Sequence, residues 1–134
     1  MTIKENINHQ VKNSIDMAKV MTDILDMEAE QDKTKEHFWI IGLNAKNYIN
    51  YIELISLGSM TSSIVHPREV FKIAIMKNSA SIIACHNHPS GHSEASTEDE
   101  DVTERLQKAG DILGIELLDH IIIGNGTYKS LMNK

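Results

Sequence analysis

The segment Ser81 to His86, SIIACH, is a short apolar run that passes directly into NHPSGHSEAS, a stretch of small and polar residues. Beyond it Val102, Leu106, Ala109 and Leu113 recur at helical spacing, with Ser96 placed as an N-cap and Gly114 as the stop. A buried strand, a tight loop and an amphipathic helix in that order constrain the chain strongly. They require a sheet with a helix laid on it, and they put two histidines, His86 and His88, where the strand ends.

The flanking segments supply the rest of that sheet. Met17, Val20, Met21, Ile24 and Leu25 predict an amphipathic helix over residues 15–30 capped by Ser14, after which the polar stretch Gln31 to Lys35 breaks the pattern. The runs His37 to Asn44 and Tyr48 to Leu57 read as an antiparallel hairpin. Pro67 opens another helix whose buried face is Val70, Phe71, Ala74 and Ile75, because proline at the first helical position loses no hydrogen bond. Residues 115–124 give one further strand, or two with a bulge near Leu118 and Asp119, and Thr127 to Leu131 a last short one. The order predicts an α+β (mixed α/β) sandwich, and 134 residues suffice for one domain over 14–134 behind an N-terminal extension of residues 1–13.

Charge narrows the function. Thirteen basic against nineteen acidic residues give a net charge of -6, and Arg68 and Arg105 are the only arginines. A sequence-independent DNA binder concentrates Lys and Arg to displace counterions, so direct nucleic-acid contact is not expected. No apolar run reaches the roughly 18 residues of a membrane span, nor is there a signal peptide, so a cytoplasmic location is expected. The lone Cys85 agrees with a reducing compartment.

His86 and His88 are two residues apart, and a strand continuing through them projects both imidazoles from one face, about 7 Å apart at the backbone. Two ligands of one metal fit that spacing. The third must come from the acidic cluster between Glu94 and Glu104. Asp99 lies three residues after Ser96 and three before Val102, so it shares the inward stripe and also the capping-box position. Asp101 and Glu104 precede Arg105 and Lys108 by four, the layout of a solvated, salt-bridged face. Two His and one Asp leave a coordination position open, which distinguishes a catalytic zinc from a structural one; zinc lowers the pKa of water there to roughly 7.

The string His86-Asn87-His88-Pro89-Ser90-Gly91, with Ser96 and Asp99 after it, resembles the JAMM metallopeptidase motif. VHPREVF at Val65 to Phe71 and LLDHIIIG at Leu117 to Gly124 are similar to the RadC-like branch of that superfamily, and the resemblance covers residues 14–131. It implies the JAB/MPN fold, a cytidine-deaminase-like sheet packed with helices, and a zinc hydrolase of amide or isopeptide bonds acting on a protein or peptide. By position it also implies that His86, His88 and Asp99 hold zinc, that Ser96 donates to the oxyanion, and that Glu36 is the general base, since it opens the first strand after a helix. Longer RadC proteins carry a helix-hairpin-helix module ahead of this domain, whereas only about a dozen residues precede the first helix here; Ala95 replaces a frequent proline.

Blander roles stand beside these. The alternative for His86 and His88 is a polar strand end with satisfied hydrogen bonds, and for Asp99 a simple helix cap; the whole string favours metal binding. His92 reads as exposed. His120 reads as a structural hydrogen-bonder, or as support for the metal-holding groups. Cys85 points away from His86 as a buried hydrophobe, and the Met-rich first helix is core. Two other functions stay open: a non-catalytic, metal-containing interaction module, and a DNA-repair-associated factor. Oligomeric state is not legible.

Overall fold

A computed structural model describes residues 3–5, 7–58 and 65–132. Its frame is a six-stranded mixed sheet in the order β1-β3-β2-β4-β5-β6. The strands are β1 (Ile3–Glu5), β2 (His37–Leu43), β3 (Ile49–Leu57), β4 (Ser81–Asn87), β5 (Glu116–Ile123) and β6 (Tyr128–Ser130). The helices are α1 (Ser14–Asp26), α2 (Glu30–Lys33), α3 (Pro67–Met76) and α4 (Thr97–Leu113). The α+β class expected for a JAB domain is what forms. Among the described strands only β4 and β5 run parallel, so the chain between them must cross over the sheet, and α4 makes that crossing.

Both faces of the sheet are covered, which explains why the central strands read as continuous apolar runs rather than as alternation. On one face Phe38, Ile40, Ile82 and Ala84 pack with Val70, Phe71, Val102 and Leu106 of α3 and α4. On the other Trp39, Ile41, Ile83 and Cys85 pack with Met17, Ala18 and Met21 of α1. The Met-rich helix is core, as its periodicity indicated, and Cys85 lies opposite His86.

Local details differ from the sequence reading at several points. Asn13, not Ser14, caps α1: its side-chain oxygen accepts from the Asp16 N–H at 2.8 Å, and the Ser14 hydroxyl instead donates to Asp119 at 2.9 Å. The helix stops at Asp26 rather than at residue 30, one residue after its apolar stripe ends at Leu25, and the short α2 occupies the stretch expected to be a break. Residues 3–5, within the stretch set apart as an extension, pair as β1 with the edge of β3, while Val11 enters the core. A three-residue strand has too few positions to show alternation, so its sequence carried no signal.

One irregularity positions the site. Ile82 pairs with Leu117 but Ile83 pairs with Asp119, so Leu118 is an extra, bulged residue of β5. Side chains alternate along a strand, and one extra residue therefore reverses the face of everything after it. His120 comes to lie opposite Ala84, on the face of His86. Had β5 continued from Leu117 without the bulge, His120 would point toward α1.

Candidate metal centre

The strand end, the loop and the start of α4 converge as the sequence suggested. β4 delivers His86, fully buried, and pairing with β5 continues one residue beyond the strand because the His88 N–H donates to the Ile123 carbonyl at 2.9 Å. Ser96 caps α4 and closes a capping box with Asp99: the Ser96 Oγ accepts from the Asp99 N–H at 3.1 Å, and Asp99 Oδ2 accepts from the Ser96 N–H at 2.8 Å. The cap thus holds the Asp99 carboxylate at the mouth of the helix. His86 Nε2 lies 2.8 Å from Asp99 Oδ1, and His88 Nε2 lies 3.0 Å from Asp99 Oδ2 and 3.0 Å from His86 Nε2.

Proton counting shows what this cluster needs. His88 Nδ1 is 2.8 Å from the His92 carbonyl oxygen, which can only accept, so Nδ1 carries a proton, and a ring with one proton keeps its Nε2 lone pair for the Asp99 side. Burial raises the pKa of Asp99, but the hydrogen bond and charge of His86 and the two bonds from Ser96 outweigh it, holding the carboxyl well below its usual range. Asp99 therefore turns an ionised carboxylate toward both Nε2 atoms, and with each imidazole in its Nδ1–H form all three atoms offer lone pairs to one point. Such a set of converging acceptors fits a cation, and His86, His88 and Asp99 are a group able to hold a metal ion.

The loop that carries His88 is fastened from behind. Gly91 has φ of 89°, and its N–H donates to the His88 carbonyl while its own carbonyl accepts from Asn125. Gly124 lies against this turn so closely that a Cβ there would meet the Gly91 oxygen at 2.5 Å. Glycine at both positions lets the β5–β6 turn support the loop, and with it the His92 carbonyl.

A cleft of about 380 Å³ opens beside the trio, lined by Glu36, His88, Pro89, Ser90, Ser96, Glu98 and Asp99. Glu36, from a segment about fifty residues earlier, is held there by Asn87. The buried Asn87 side chain accepts from the His37 N–H at 2.6 Å and donates to the Lys35 carbonyl at 3.0 Å, gripping the backbone on either side of Glu36. The middle residue of the His-Asn-His string thus faces away from the trio and fixes the partner strand.

Comparison with known proteins bears on this geometry. A family model described as the RadC-like JAB domain matches residues 11–134. The chain belongs to the RadC family of JAB domains. Among its relatives, the UPF0758 protein of Clostridium kluyveri is 54% identical over 111 residues, 83% of this chain and 49% of that protein. The UPF0758 protein of Caldanaerobacter subterraneus is 54% identical over 84% of this chain and 49% of its own length. That of Clostridium tetani is 47% identical over 99% of the chain and 56% of its own. This RadC-like domain therefore spans about half the length of the curated relatives it matches.

Each residue singled out from the sequence can now be placed. His86, His88 and Asp99 meet; Ser96 and Glu36 line the same cleft. Asp101 is exposed, and Glu104 pairs with Lys108 at 2.7 Å on the outer face of α4. The His92 ring is exposed as expected, and its carbonyl is the part that matters. His120 is buried behind His86, where desolvation and the neighbouring imidazoles push its pKa down to about 3 against the opposing pull of Asp99. Asn87 was missed, although an Asn fixed between two strand-end histidines is itself a signal for such a grip. Among the described residues, no helix is long and apolar enough to cross a membrane.

Proposed function

We propose that this RadC-like domain is a zinc-dependent hydrolase that cleaves amide or isopeptide bonds in a protein or peptide. The observation that carries the reading is the meeting of one ligand atom each from His86, His88 and Asp99, all within 4.8 Å of one another, beside a cleft that also holds a carboxylate and a hydroxyl not needed to hold the ion. His86, His88 and Asp99 would hold zinc, since two imidazoles and a carboxylate leave a position open. Zinc, when bound, polarises a carbonyl and acidifies water.

The chain's own groups do the remainder. Glu36 takes a proton from the attacking water and returns it to the leaving amine, the usual work of a general base turned acid. Ser96 donates its hydroxyl proton to the carbonyl oxygen as charge gathers there. Its two tasks are compatible, because capping α4 uses a lone pair of Oγ and leaves the O–H to donate. The acidic balance and the absence of an arginine stripe favour a protein or peptide over nucleic acid, and the buried single thiol suits a cytoplasmic setting. The test is metal content of the purified protein, then a peptide and isopeptide cleavage screen with and without chelator. Stoichiometric zinc with chelator-sensitive cleavage is expected; a zinc-loaded protein inert across a broad panel would transfer the weight to a metal-containing interaction module.

A further inference from the structure

We propose that Thr103 and His120 fix the tautomer of His86, so that its Nε2 offers a lone pair rather than a proton to the metal position. The inference rests on the reading of His86, His88 and Asp99 as a metal centre. It starts from a group that cannot donate, the backbone carbonyl of Asp99, which the Thr103 Oγ reaches at 2.8 Å. Threonine has one hydroxyl proton, and giving it to that carbonyl leaves Oγ an acceptor toward His120 Nδ1, 2.6 Å away. His120 Nδ1 then carries the N–H. A neutral ring has only one, so His120 Nε2 is an acceptor toward His86 Nδ1 at 2.8 Å. His86 then donates from Nδ1, and with an ion in place its Nε2 would offer a lone pair where it otherwise meets Asp99 Oδ1 at 2.8 Å.

The chain closes on the residue it began with. Asp99 receives the Thr103 proton at its carbonyl and offers its carboxylate to the metal position, one helical turn anchoring both ends. His88 achieves the same state in one step, donating to the His92 carbonyl. The two imidazoles are thus set alike by different routes, each ending on a backbone oxygen. The opposite proton order would place N–H on His86 Nε2 and deny the metal a lone pair. His120 has the burial such a relay requires, being fully enclosed, with its ring edge-on to Phe38 at 5.9 Å.

His120 and Thr103 are positioning residues, and the readouts must go beyond turnover. In the zinc-loaded protein, nitrogen-15 NMR of the imidazoles should show His120 protonated at Nδ1 and bare at Nε2, a measurement that needs no variant. His120→Phe keeps a ring but neither polar atom, and should weaken zinc binding by about 10- to 100-fold. His120→Gln, whose amide accepts at one atom and donates at another, should restore most of it. Thr103→Val is nearly isosteric and should lower zinc affinity if His120→Phe does not fold, with thermal unfolding of the metal-free proteins as the check. A proton on His120 Nε2 with zinc bound, or folded His120→Phe and Thr103→Val proteins that hold zinc as tightly as wild type, would overturn the proposal while leaving the metal centre intact. Wild-type protein that binds no zinc would remove the metal reading itself, and this relay with it.

Discussion

His88 donates from Nδ1 to the carbonyl oxygen of His92 at 2.8 Å, closing the loop on itself and orienting the ring that faces Asp99. The loop therefore carries a nitrogen, Nε2, turned toward Asp99, while the ring's other nitrogen is held by backbone four residues further on. Fixing a ligand's tautomer through its other nitrogen raises its basicity and removes a rotation it would otherwise lose on binding.

Substituting His88 by Ala should abolish most zinc binding. Two remaining protein groups are too few to hold the ion against water. Elemental analysis of wild type and variant purified in parallel measures this, and near-equal zinc in both would remove His88 from the site.

Asp99→Asn should lose zinc, and Asp101→Asn should keep it, because Asp99 is buried against both histidines while Asp101 is exposed on the outer face of α4. Asparagine can still accept from the Ser96 N–H, so the cap survives and the helix should fold. Metal retention with the reverse pattern would place the carboxylate in the wrong phase of the helix.

Glu36→Gln should retain zinc and fold while turnover on any substrate found falls by about 10²- to 10⁴-fold, the usual contribution of a general base. Zinc content, thermal unfolding and rate measured on one preparation separate these effects. Turnover equal to wild type would exclude Glu36 from the chemistry.

Asn87→Ala should cost about 1–3 kcal/mol, since it leaves the buried His37 N–H without its partner and takes one of two hydrogen bonds from the Lys35 carbonyl, which keeps His37 Nδ1. It should also slow turnover without removing zinc, because the released backbone is what carries Glu36. Denaturant unfolding gives the first quantity; a variant as stable as wild type would mean that the grip contributes nothing.

Cys85 should stay unreactive in the native protein from pH 7 to pH 9. Burial, with a smaller push from Asp119, raises its thiol pKa, so raising the pH through the range where a free cysteine ionises produces no thiolate here. Disulfide-exchange reagents should label it only on unfolding. Rapid native labelling that grows with pH would show that the α1 face of the sheet opens.

Much of this was legible in the sequence because the informative signals were local. The spacing from Ser96 to Asp99 dictates a capping box, and Val102 and Leu106 fix the phase that turns Asp99 inward. The hairpin, α3 with its proline start and the Gly114 stop, at φ of 74°, follow from rules that act within a few residues. What escaped depends on contacts distant in the chain. Asn13 rather than Ser14 caps α1 because the Ser14 hydroxyl is drawn to Asp119, 105 residues away. Asn87 grips a segment 50 residues earlier, and His120 meets His86 only through the register of β5 against β4.

That register gives β5 an adjustable joint. Its first residues answer to the helix before them, where Gly110 lies so close that a Cβ would meet the Ile115 carbonyl at 2.3 Å. Its last residues answer to the histidines of β4. Leu118 takes up the odd residue between these two demands, so the length of the crossover and the alignment of the site are independent variables. A lineage can lengthen or shorten the chain at that joint and keep the same imidazole behind His86, provided the slack is absorbed before Asp119.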